Sequence, residues 1–379
     1  MRTIIVCFAS EPWDGLWQRH HHLMSRLARR GHRIIYVDPT NLSEAVKRPG
    51  LLKDRIEEVE DNITVVRPLF LPLHYKVAPF DRVDALRTYG ILRRALRRLG
   101  TSEPDIIMIS SPFHSFLLRM FGNVPLLYDC VDASEGLCPT EETRQWYIQR
   151  EKEILGSADA AIAVSRPLLE RCLSLNERSY LVTNGASPLL SSGDRPEDLA
   201  ALGRPLVGFV GRIGRWVDVC LLRDLAIGRP DCSIVLIGPV DCRDEALPVL
   251  RKLSNVHFLG TKEFEAVAGY ITNMDVCIIP FKVIPLTSMA NPVKMFEYAS
   301  LGIPIVSTPL EVVLEHSEVV YLSDGTSDSF IEQVGAALVE SDPDLRERRK
   351  ELSRRHDWDA ITDQVESILV EVHGRRTEM

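Results

Sequence analysis

The sequence contains no uninterrupted apolar run near the roughly 18 residues needed to cross a bilayer. Its N-terminus, MRTIIVCFAS, passes directly into a short apolar strand, without the basic region and cleavage site of a signal peptide. No two of its eight cysteines have the CxxC spacing of a zinc site, and most lie in apolar runs, as reduced core cysteines do. These absences predict a cytoplasmic protein, with at most a peripheral contact with the inner face of the cell membrane.

An excess of positive charge is also missing. The formal net charge is −8, which argues against nucleic acid as the main partner. Hydrophobic residues at 45% and charged residues at 26% are typical of a globular protein. At 379 residues the chain is too long for one ordinary core, so we expect two domains.

Strand and helix patterns alternate along the chain as in α/β domains. TIIVCFA (3–9) and RIIYVDP (33–39) flank a helical segment that ends at Gly31, which predicts a parallel βαβ unit. Two more buried strands are predicted at 104–112 and 124–134, followed by a long helix from Thr140 to Ala158. The same alternation restarts after a segment rich in Ser, Pro and Gly, with apolar strands from LVGFVGRIG (206–214) onward.

The predicted fold is therefore α/β, with two doubly wound Rossmann-like domains and a cleft between them. The first domain spans 1–186, a linker 187–204, and the second domain 205–355. A C-terminal helix at 356–379 is expected to pack back toward the first domain.

The stretch PLTSMANPVKMFEYASLGIPIVST (285–308) combines a loop, a helix and a buried strand. Asn291 followed by Pro292 predicts a helix N-cap with proline at the first helical position. Lys294 and Glu297 then share one helix face. A helix N-terminus beside a lysine is a favourable anion site, and a glutamate one turn further can accept hydrogen bonds from sugar hydroxyls.

A second candidate anion site is GFVGRIGR (208–215), which follows a strand but does not match GxGxxG. Gly211 allows close approach of the backbone, and Arg212 and Arg215 supply positive charge for a diphosphate. The alternative is a tight turn with surface arginines.

In the first domain, polar residues follow the strands whose carboxyl ends should share one edge. Asp129 and Asp132 end one strand and His114 follows another, while Glu11 to Trp17 follow the first. Trp17, Arg19, His20 and His114 are our candidates for contact with an acceptor, although a lone histidine is more often structural. His20, His21 and His22 are consecutive and cannot share a helix face, which argues against a triple-histidine metal site.

The segment 63–80 is predicted to begin as a strand and to continue as a loop rich in proline and aromatic residues. The helix after it carries arginines between positions 82 and 98, against Val83, Leu86, Leu92 and Leu96. The basic face is either simply solvated or drawn to anionic lipid as a peripheral membrane contact.

The order LLYDCVDAS, VGFVGR, IVLIGP, NVHFLGT, MDVCIIPF and NPVKMFEYASLGIPIVST resembles the GT-B glycosyltransferases of family 4 (group 1). It is most similar to bacterial enzymes of that family that assemble surface polysaccharide of the teichuronic-acid type. The resemblance covers nearly the whole chain. It implies a GT-B fold and a retaining transfer of sugar from a nucleotide diphosphate donor, most often UDP- or GDP-linked, without a metal or other cofactor.

The resemblance also implies roles for matching positions. Glu297 would accept from the donor ribose, Arg212 would neutralise the diphosphate, and Gly15 would approach the sugar and phosphate. The strand end with Asp129 and Asp132 would lie beside the anomeric carbon. The predicted catalytic residues are Asp129, Asp132, Arg212 and Lys294. The predicted donor-binding residues are Gly15, Gly211, Arg212, Arg215, Thr261, Asn291, Pro292, Lys294 and Glu297.

Two positions depart from the family pattern. Met289 stands where a first glutamate would contact the donor sugar, and Val217 and Asp218 stand where a lysine usually follows Arg212. Lys294 is the preferred replacement for that lysine.

The predicted function is transfer of a sugar to a glycan or lipid-linked acceptor in surface polysaccharide biosynthesis. The alternatives are a nucleotide-sugar 2-epimerase on the same scaffold and a non-catalytic partner or sensor subunit.

Overall fold

A computed structural model describes residues 2–15, 17–39, 55–68, 78–138, 140–186 and 195–377. The chain forms two compact units. The first unit comprises Met1–Thr183 and Asp359–Met379, and the second comprises Asn184–Trp358. The chain therefore passes between the units twice, a few residues from the boundaries predicted at 186 and 355.

The first unit is built on an eight-stranded sheet with the order β3-β4-β2-β1-β5-β6-β7-β8. All neighbouring strands are parallel except β3 and β4. The central strands are continuous aliphatic runs because parallel strands are covered on both faces. The strands are β1 Ile4–Phe8, β2 Arg33–Val37, β3 Arg55–Glu60, β4 Ile63–Arg67, β5 Ile106–Ile109, β6 Leu126–Cys130, β7 Ala160–Ala163 and β8 Ser179–Leu181.

Helices connect these strands. They are α1 Arg19–Arg29, α2 Ala78–Arg98, α3 Glu141–Ser157 and α4 Arg166–Leu173, with 3-10 helices at Pro112–Met120 and Ser134–Leu137. The side chain of Thr140 accepts from the Thr143 N–H and caps the start of α3. With Thr140 and Ala158 as its cap residues, α3 has the bounds that the sequence predicted.

The second unit has a six-stranded parallel sheet with the order β11-β10-β9-β12-β13-β14. Its strands are β9 Leu206–Val210, β10 Ser233–Ile237, β11 Val256–Gly260, β12 Val276–Ile279, β13 Ile305–Ser307 and β14 Tyr321–Leu322. Its helices are α5 Glu197–Ala200, α6 Val219–Gly228, α7 Leu247–Leu250, α8 Phe264–Thr272, α9 Pro285–Ser288, α10 Val293–Ser300, α11 Glu311–Leu314, α12 Ser327–Leu338 and α13 Pro343–Arg355. The two doubly wound α/β halves confirm the predicted fold class.

The closing helix α14 (Trp358–Thr377) belongs, from Asp359 on, to the first unit. Its carboxylates hold α1 and the residues that follow it. Arg26 Nε donates to Asp359 (2.9 Å), and Glu366 accepts from Arg30 (2.7 Å) and lies 2.9 Å from His32 Nε2. The first unit is therefore completed by the end of the chain.

Two elements differ from the sequence prediction. The strand β3, RIEEVE, was missed because its charged residues lack an apolar run, and it pairs antiparallel with β4 at the sheet edge. The predicted linker 187–204 contains α5, and its residues 195–204 belong to the second unit. Linker residues 187–194 and loop residues 69–77 lie outside the described residues.

Within the described part of the chain, no helix is long and apolar enough to cross a membrane. Each sheet has one point where successive strands are added on opposite sides, between β1 and β5 in the first unit and between β9 and β12 in the second. Ligands of open α/β sheets bind at such points, beyond the carboxyl ends of the strands. The fold thus indicates where to search for a site in each unit.

Candidate functional site

In the second unit, a glycine turn follows β9. Gly211 has a φ of 145°, which L side chains rarely adopt, and its N–H donates to the Ile237 carbonyl (2.8 Å). A Cβ at Gly238, just after β10, would lie 2.2 Å from the Gly211 carbonyl oxygen. The two strand ends therefore approach as closely as backbone allows.

The helix α10 packs against this turn and begins at Val293, with Pro292 as the N-cap residue. The prediction that Asn291 caps the helix is wrong by one residue. The Pro292 carbonyl accepts from the Met295 N–H (3.0 Å), while the Asn291 carbonyl accepts from the side chain of Asn184 (2.8 Å). Gly302 ends the segment with a φ of 72°, as predicted.

The Lys294 ammonium lies beside Gly211 and between two aromatic rings. Its Nζ is 5.4 Å from the centroid of Phe209 and 5.3 Å from that of Phe281, and a Cβ on Gly211 would come within 3.0 Å of it. Lys294 is half-buried, and burial lowers its pKa while Glu297 opposes this shift. Among the described residues, Lys294 has no hydrogen bond or ion pair. The site therefore holds a positive charge whose ammonium donors are available to a ligand.

Glu297 lies one turn further along α10 and is also half-buried. Burial raises the pKa of its carboxyl, and the charge of Lys294 opposes this rise. The next residue, Tyr298, is buried, and its hydroxyl accepts from the Val210 N–H (3.0 Å). This bond attaches α10 to the end of β9. Neither Lys294 nor Glu297 is an exposed residue of the helix surface.

The remaining donor residues predicted in the second unit, Arg212, Arg215 and Thr261, lie on loops at the same edge of the sheet. Arg212 forms an ion pair with Asp241 (3.1 Å) in the loop after β10, and both side chains are partly exposed. Arg215 and Thr261 are exposed, with Thr261 directly after β11. The structure thus joins Gly211 to Lys294, and it gives Arg212 a partner of its own.

The positions that depart from the family pattern have structural roles here. Val217 is buried, and Asp218 caps α6 by accepting from the Leu221 N–H (3.0 Å). Met289 is the C-cap residue of α9, directly after Ser288. A lysine at 217 or 218 would therefore cost packing or a helix cap.

In the first unit, the corresponding edge holds a buried ion pair. Arg19 Nε donates to both carboxylate oxygens of Asp129 (3.1 Å each), and its Nη1 donates to the Thr183 carbonyl (2.8 Å). Burial raises the pKa of Asp129, and Arg19 opposes this rise by charge and hydrogen bonding. Because both side chains are enclosed, the structure does not support the predicted direct contacts of Asp129 with the anomeric carbon and of Arg19 with an acceptor.

The three consecutive histidines are all buried, in separate environments. His20 Nε2 lies 4.0 Å from Asp129, and burial lowers the pKa of His20 to about 3. His21 Nδ1 accepts from the Gln18 N–H (3.0 Å), and its Nε2 donates to the Pro12 carbonyl (3.1 Å). His22 packs edge-on against Trp17, at 5.3 Å between ring centroids. His21 and His22 therefore contact protein groups. Neither ring nitrogen of His20 has a hydrogen-bond partner among the described residues, and His20 has no surface for the predicted acceptor contact.

His114 is also buried, with its ring 5.4 Å from that of Phe8. Its predicted contact with an acceptor likewise lacks exposed surface.

Two predicted residues of the first unit are open to solvent. Asp132 is exposed after β6, yet the protein around it and, next, the charge of Glu11 raise its pKa to about 7. Trp17 is 38% exposed and stacks on His21 at 5.6 Å between centroids. Gly15 closes a tight turn, where its N–H donates to the Pro12 carbonyl (2.9 Å). Asp132 and Trp17 thus lie where a ligand can reach them.

Comparison with known proteins places both units in one family. Residues 14–183 match the family described as glycosyl transferase 4-like domain, and residues 204–340 match that described as glycosyl transferases group 1. The chain is a glycosyltransferase that combines a 4-like domain with a group 1 domain. This glycosyltransferase is 24% identical to TuaH of Bacillus subtilis (strain 168), provisionally described as a teichuronic acid biosynthesis glycosyltransferase, over 96% of this chain and 95% of that protein.

Solved structures show that the glycosyltransferase has the GT-B fold. The sucrose-phosphate synthase of Thermosynechococcus elongatus superposes with a TM-score of 0.75 at 17% identity, covering 99% of this chain and 100% of the other. Anabaena Alr3699/HepE, solved in complex with UDP and glucose, gives 0.70 at 14% identity, over 98% and 100%. The recognition of the family from sequence is confirmed.

Sequence reasoning missed the aromatic residues of the candidate sites of this glycosyltransferase. Phe209 and Phe281 are in the strand motifs, but nothing in the local pattern shows that both contact Lys294. In the first unit, Phe113 is partly exposed just after β5, with its ring 5.5 Å from Trp146 and 5.6 Å from Tyr147. An aromatic residue directly after a predicted strand was the available signal.

Proposed function

We propose that this glycosyltransferase transfers a sugar, with retention of anomeric configuration, from a UDP- or GDP-linked donor to a glycan or lipid-linked acceptor. The biological setting would be surface polysaccharide assembly on the cytoplasmic face of the membrane. The observation that carries the proposal is the Lys294 ammonium, held beside Gly211 by Phe209 and Phe281. The name of TuaH and the UDP found in HepE support the same chemistry.

The donor diphosphate would bind at the Gly211 turn. Lys294 and the N–H groups of the first turn of α10 would donate to its oxygens, since a helix N-terminus and an ammonium both favour an anion. Arg212 would add charge at the rim, in exchange for part of its contact with Asp241. Glu297 would accept from the ribose hydroxyls of the donor.

The reaction would break the bond between the anomeric carbon and the phosphate oxygen, and its electron pair would pass to the leaving diphosphate. Lys294 and Arg212 would stabilise that developing charge, which is why we propose that no metal is required. The acceptor hydroxyl would form its new bond on the same face of the sugar. Its proton would go to the leaving phosphate.

The acceptor would bind at the carboxyl edge of the first sheet. Asp132 and Glu11 provide carboxylates for its hydroxyl groups, and the pKa of Asp132 is raised above that of a free aspartate by the protein around it and in part by the charge of Glu11. Trp17 and Phe113 offer exposed aromatic surface for the apolar face of a sugar ring. Arg19, His20, His114 and Asp129 would support these loops from inside the unit.

A membrane contact through α2 is part of the same proposal. The helix buries Leu92 and Leu96, as expected of its apolar face. Val83 and Leu86, which were predicted on the same face, are exposed instead. The outer face carries Arg93, Arg94, Arg97 and Arg98. Exposed apolar residues beside arginines suit an anionic bilayer surface. The expected result is retention on anionic liposomes at low salt and release at high salt, and equal retention on neutral liposomes would contradict this contact.

The decisive experiment is a screen of UDP-, GDP- and dTDP-sugars. Thermal shift would identify the donor, and release of nucleoside diphosphate with candidate acceptors would measure transfer. Glu297→Ala and Arg212→Ala should weaken donor binding by about 1–3 kcal/mol, with Arg212 near the lower figure because it is partly exposed. Lys252→Met, at an exposed lysine of the same unit, is the control.

Three other outcomes would reject the proposal. Binding of donors without turnover would indicate a non-catalytic subunit, and conversion of a UDP-sugar to its 2-epimer without acceptor would indicate an epimerase. Unchanged donor affinity in both variants would place the site elsewhere.

A further inference from the structure

The face of α10 that lies away from Lys294 packs on two histidines. At 100° per residue, Phe296 is about 200° around the helix from Lys294. Its ring stacks on that of His356, with centroids 4.3 Å and planes 22° apart. His316 lies edge-on to both, 5.9 Å from His356 and 6.1 Å from Phe296. We call Phe296, His316 and His356 the aromatic triad.

His356 also contacts the segment where the chain first passes between the units. Its carbonyl accepts from the Ala186 N–H (2.8 Å), and the Trp358 N–H donates back to the Ala186 carbonyl (3.3 Å). A Cβ on Gly185 would lie 2.5 Å from the His356 carbonyl oxygen, so this contact is tight. His356 thus contacts α10 through its ring and Ala186 through its backbone carbonyl. Ala186 follows the first crossing between the units, and His356 lies two residues before the end of the second unit at Trp358. We call 183–186 and 356–359 the crossing segments.

Besides the aromatic triad, α10 packs along α13, which ends one residue before His356, and it buries Met295 and Ala299 in the core of the second unit. The helix has eight residues, and no side-chain hydrogen bond caps its N-terminus. A helix this short depends on packing rather than on its own stability. Two specific side-chain contacts orient it, the Tyr298 hydroxyl at Val210 on one side and the stacking of Phe296 on His356 on the other.

We infer that His356 is a positioning residue: its ring places α10 so that Lys294 and Glu297 face the Gly211 turn, and it links that placement to the crossing segments. The inference rests on the proposed role of Lys294 and Glu297 in donor binding. A residue that only filled space would change stability without a specific change in donor affinity.

The triad also makes this placement sensitive to pH. Burial lowers the pKa of His356 and Arg355 lowers it further, while the Leu352 carbonyl, 3.0 Å from Nδ1, opposes the shift. Burial and His356 lower the pKa of His316, against Glu318 and Glu315. Because the folded pKa values lie below the ordinary value of about 6.5, an opened form takes up protons first as the pH falls. Stacking, and with it donor affinity, should therefore weaken in mild acid.

The test compares His356→Ala, His356→Phe and His257→Ala in the full chain. His257 is a half-buried histidine of β11 whose pKa is also lowered by burial, so it is a matched control within the same unit. At about pH 8, His356→Ala should raise the donor KM about tenfold with a smaller change in kcat, and His257→Ala should change it less than about twofold. His356→Phe should keep the donor KM at about pH 8 and reduce its rise toward about pH 6.

A wild-type donor KM in folded His356→Ala, or an unchanged acid rise in His356→Phe, would overturn the inference. If His356→Ala does not fold, the pH profile of His356→Phe decides alone. Failure of the proposed function has a different signature, because wild-type protein would then bind no donor or Lys294→Met would bind it normally.

Discussion

Arg19 and Lys294 are cations at the carboxyl edges of the two sheets, and they have different partners. In the first unit, Arg19 is neutralised by both oxygens of the buried Asp129. In the second unit, Lys294 is held by the faces of Phe209 and Phe281 and by the absence of a side chain at Gly211. An aromatic face attracts a cation without cancelling its charge. One edge therefore stabilises its own unit, and the other keeps a charge available for an anionic ligand.

The largest effect that tests this difference is on the first unit. Asp129→Ala should lower the free energy of unfolding by about 3–5 kcal/mol, because it leaves the Arg19 guanidinium buried without its acid. Urea unfolding measures it. The double variant Arg19→Met with Asp129→Leu should recover most of the loss, and a cost below about 1 kcal/mol for Asp129→Ala alone would contradict the assignment.

The second test removes the other cation. Lys294→Met should reduce the rate of donor-dependent transfer by about 100-fold or more, because a positioned donor to a developing charge is lost. The free energy of unfolding should change by less than about 1 kcal/mol, since Lys294 forms no hydrogen bond or ion pair within the described residues and Glu297 remains half-buried. Steady-state kinetics and urea unfolding give both values, and a large loss of stability without a specific loss of transfer would make Lys294 a structural residue like Arg19.

Alkaline pH gives a further test of Lys294. Burial lowers the pKa of Lys294, so donor affinity should fall with rising pH before the ordinary lysine value of about 10.4 is reached. Lys294→Arg should retain donor affinity to higher pH, because arginine stays protonated. Titration of the donor over the alkaline range measures this, and identical profiles for both proteins would show that Lys294 does not carry the charge.

A smaller effect tests the aromatic contact itself. Phe281→Leu should weaken donor binding by about 0.5–2 kcal/mol, the range of a cation–π contact. Phe258→Leu is a matched control, since Arg251 lies over that ring at 4.8 Å in the same unit. Calorimetric titration of the donor distinguishes them, and equal losses in both variants would indicate a general effect on folding.

The smallest expected effect is that of metal removal. If Lys294 and Arg212 carry the charge of the leaving phosphates, transfer should be unchanged after treatment with a chelator. A loss that Mg²⁺ or Mn²⁺ restores would show that the cations of the second unit are insufficient.

Much of the fold could be predicted because buried parallel strands are continuous apolar runs and helices have local start and stop signals. Thr140 before α3 and Gly302 after α10 are such signals. The strand RIEEVE carries neither signal, because an edge strand is defined by its neighbour. The N-cap at Pro292 was displaced by one residue because the Asn291 carbonyl bonds to Asn184, a contact 107 positions distant.

The sequence by itself determined the family, the two α/β halves and the presence of Gly211, Lys294 and Glu297 in a candidate donor site. Only the tertiary structure decided which charges remain available. Asp129 and Arg19 are 110 positions apart, and nothing local in either segment shows that they neutralise each other. Lys294 is not neutralised by an ion pair, because strands β9 and β12 bring the rings of Phe209 and Phe281 to its ammonium. The availability of a charge depends on its neighbours in space, and those are set by sheet order rather than by local sequence.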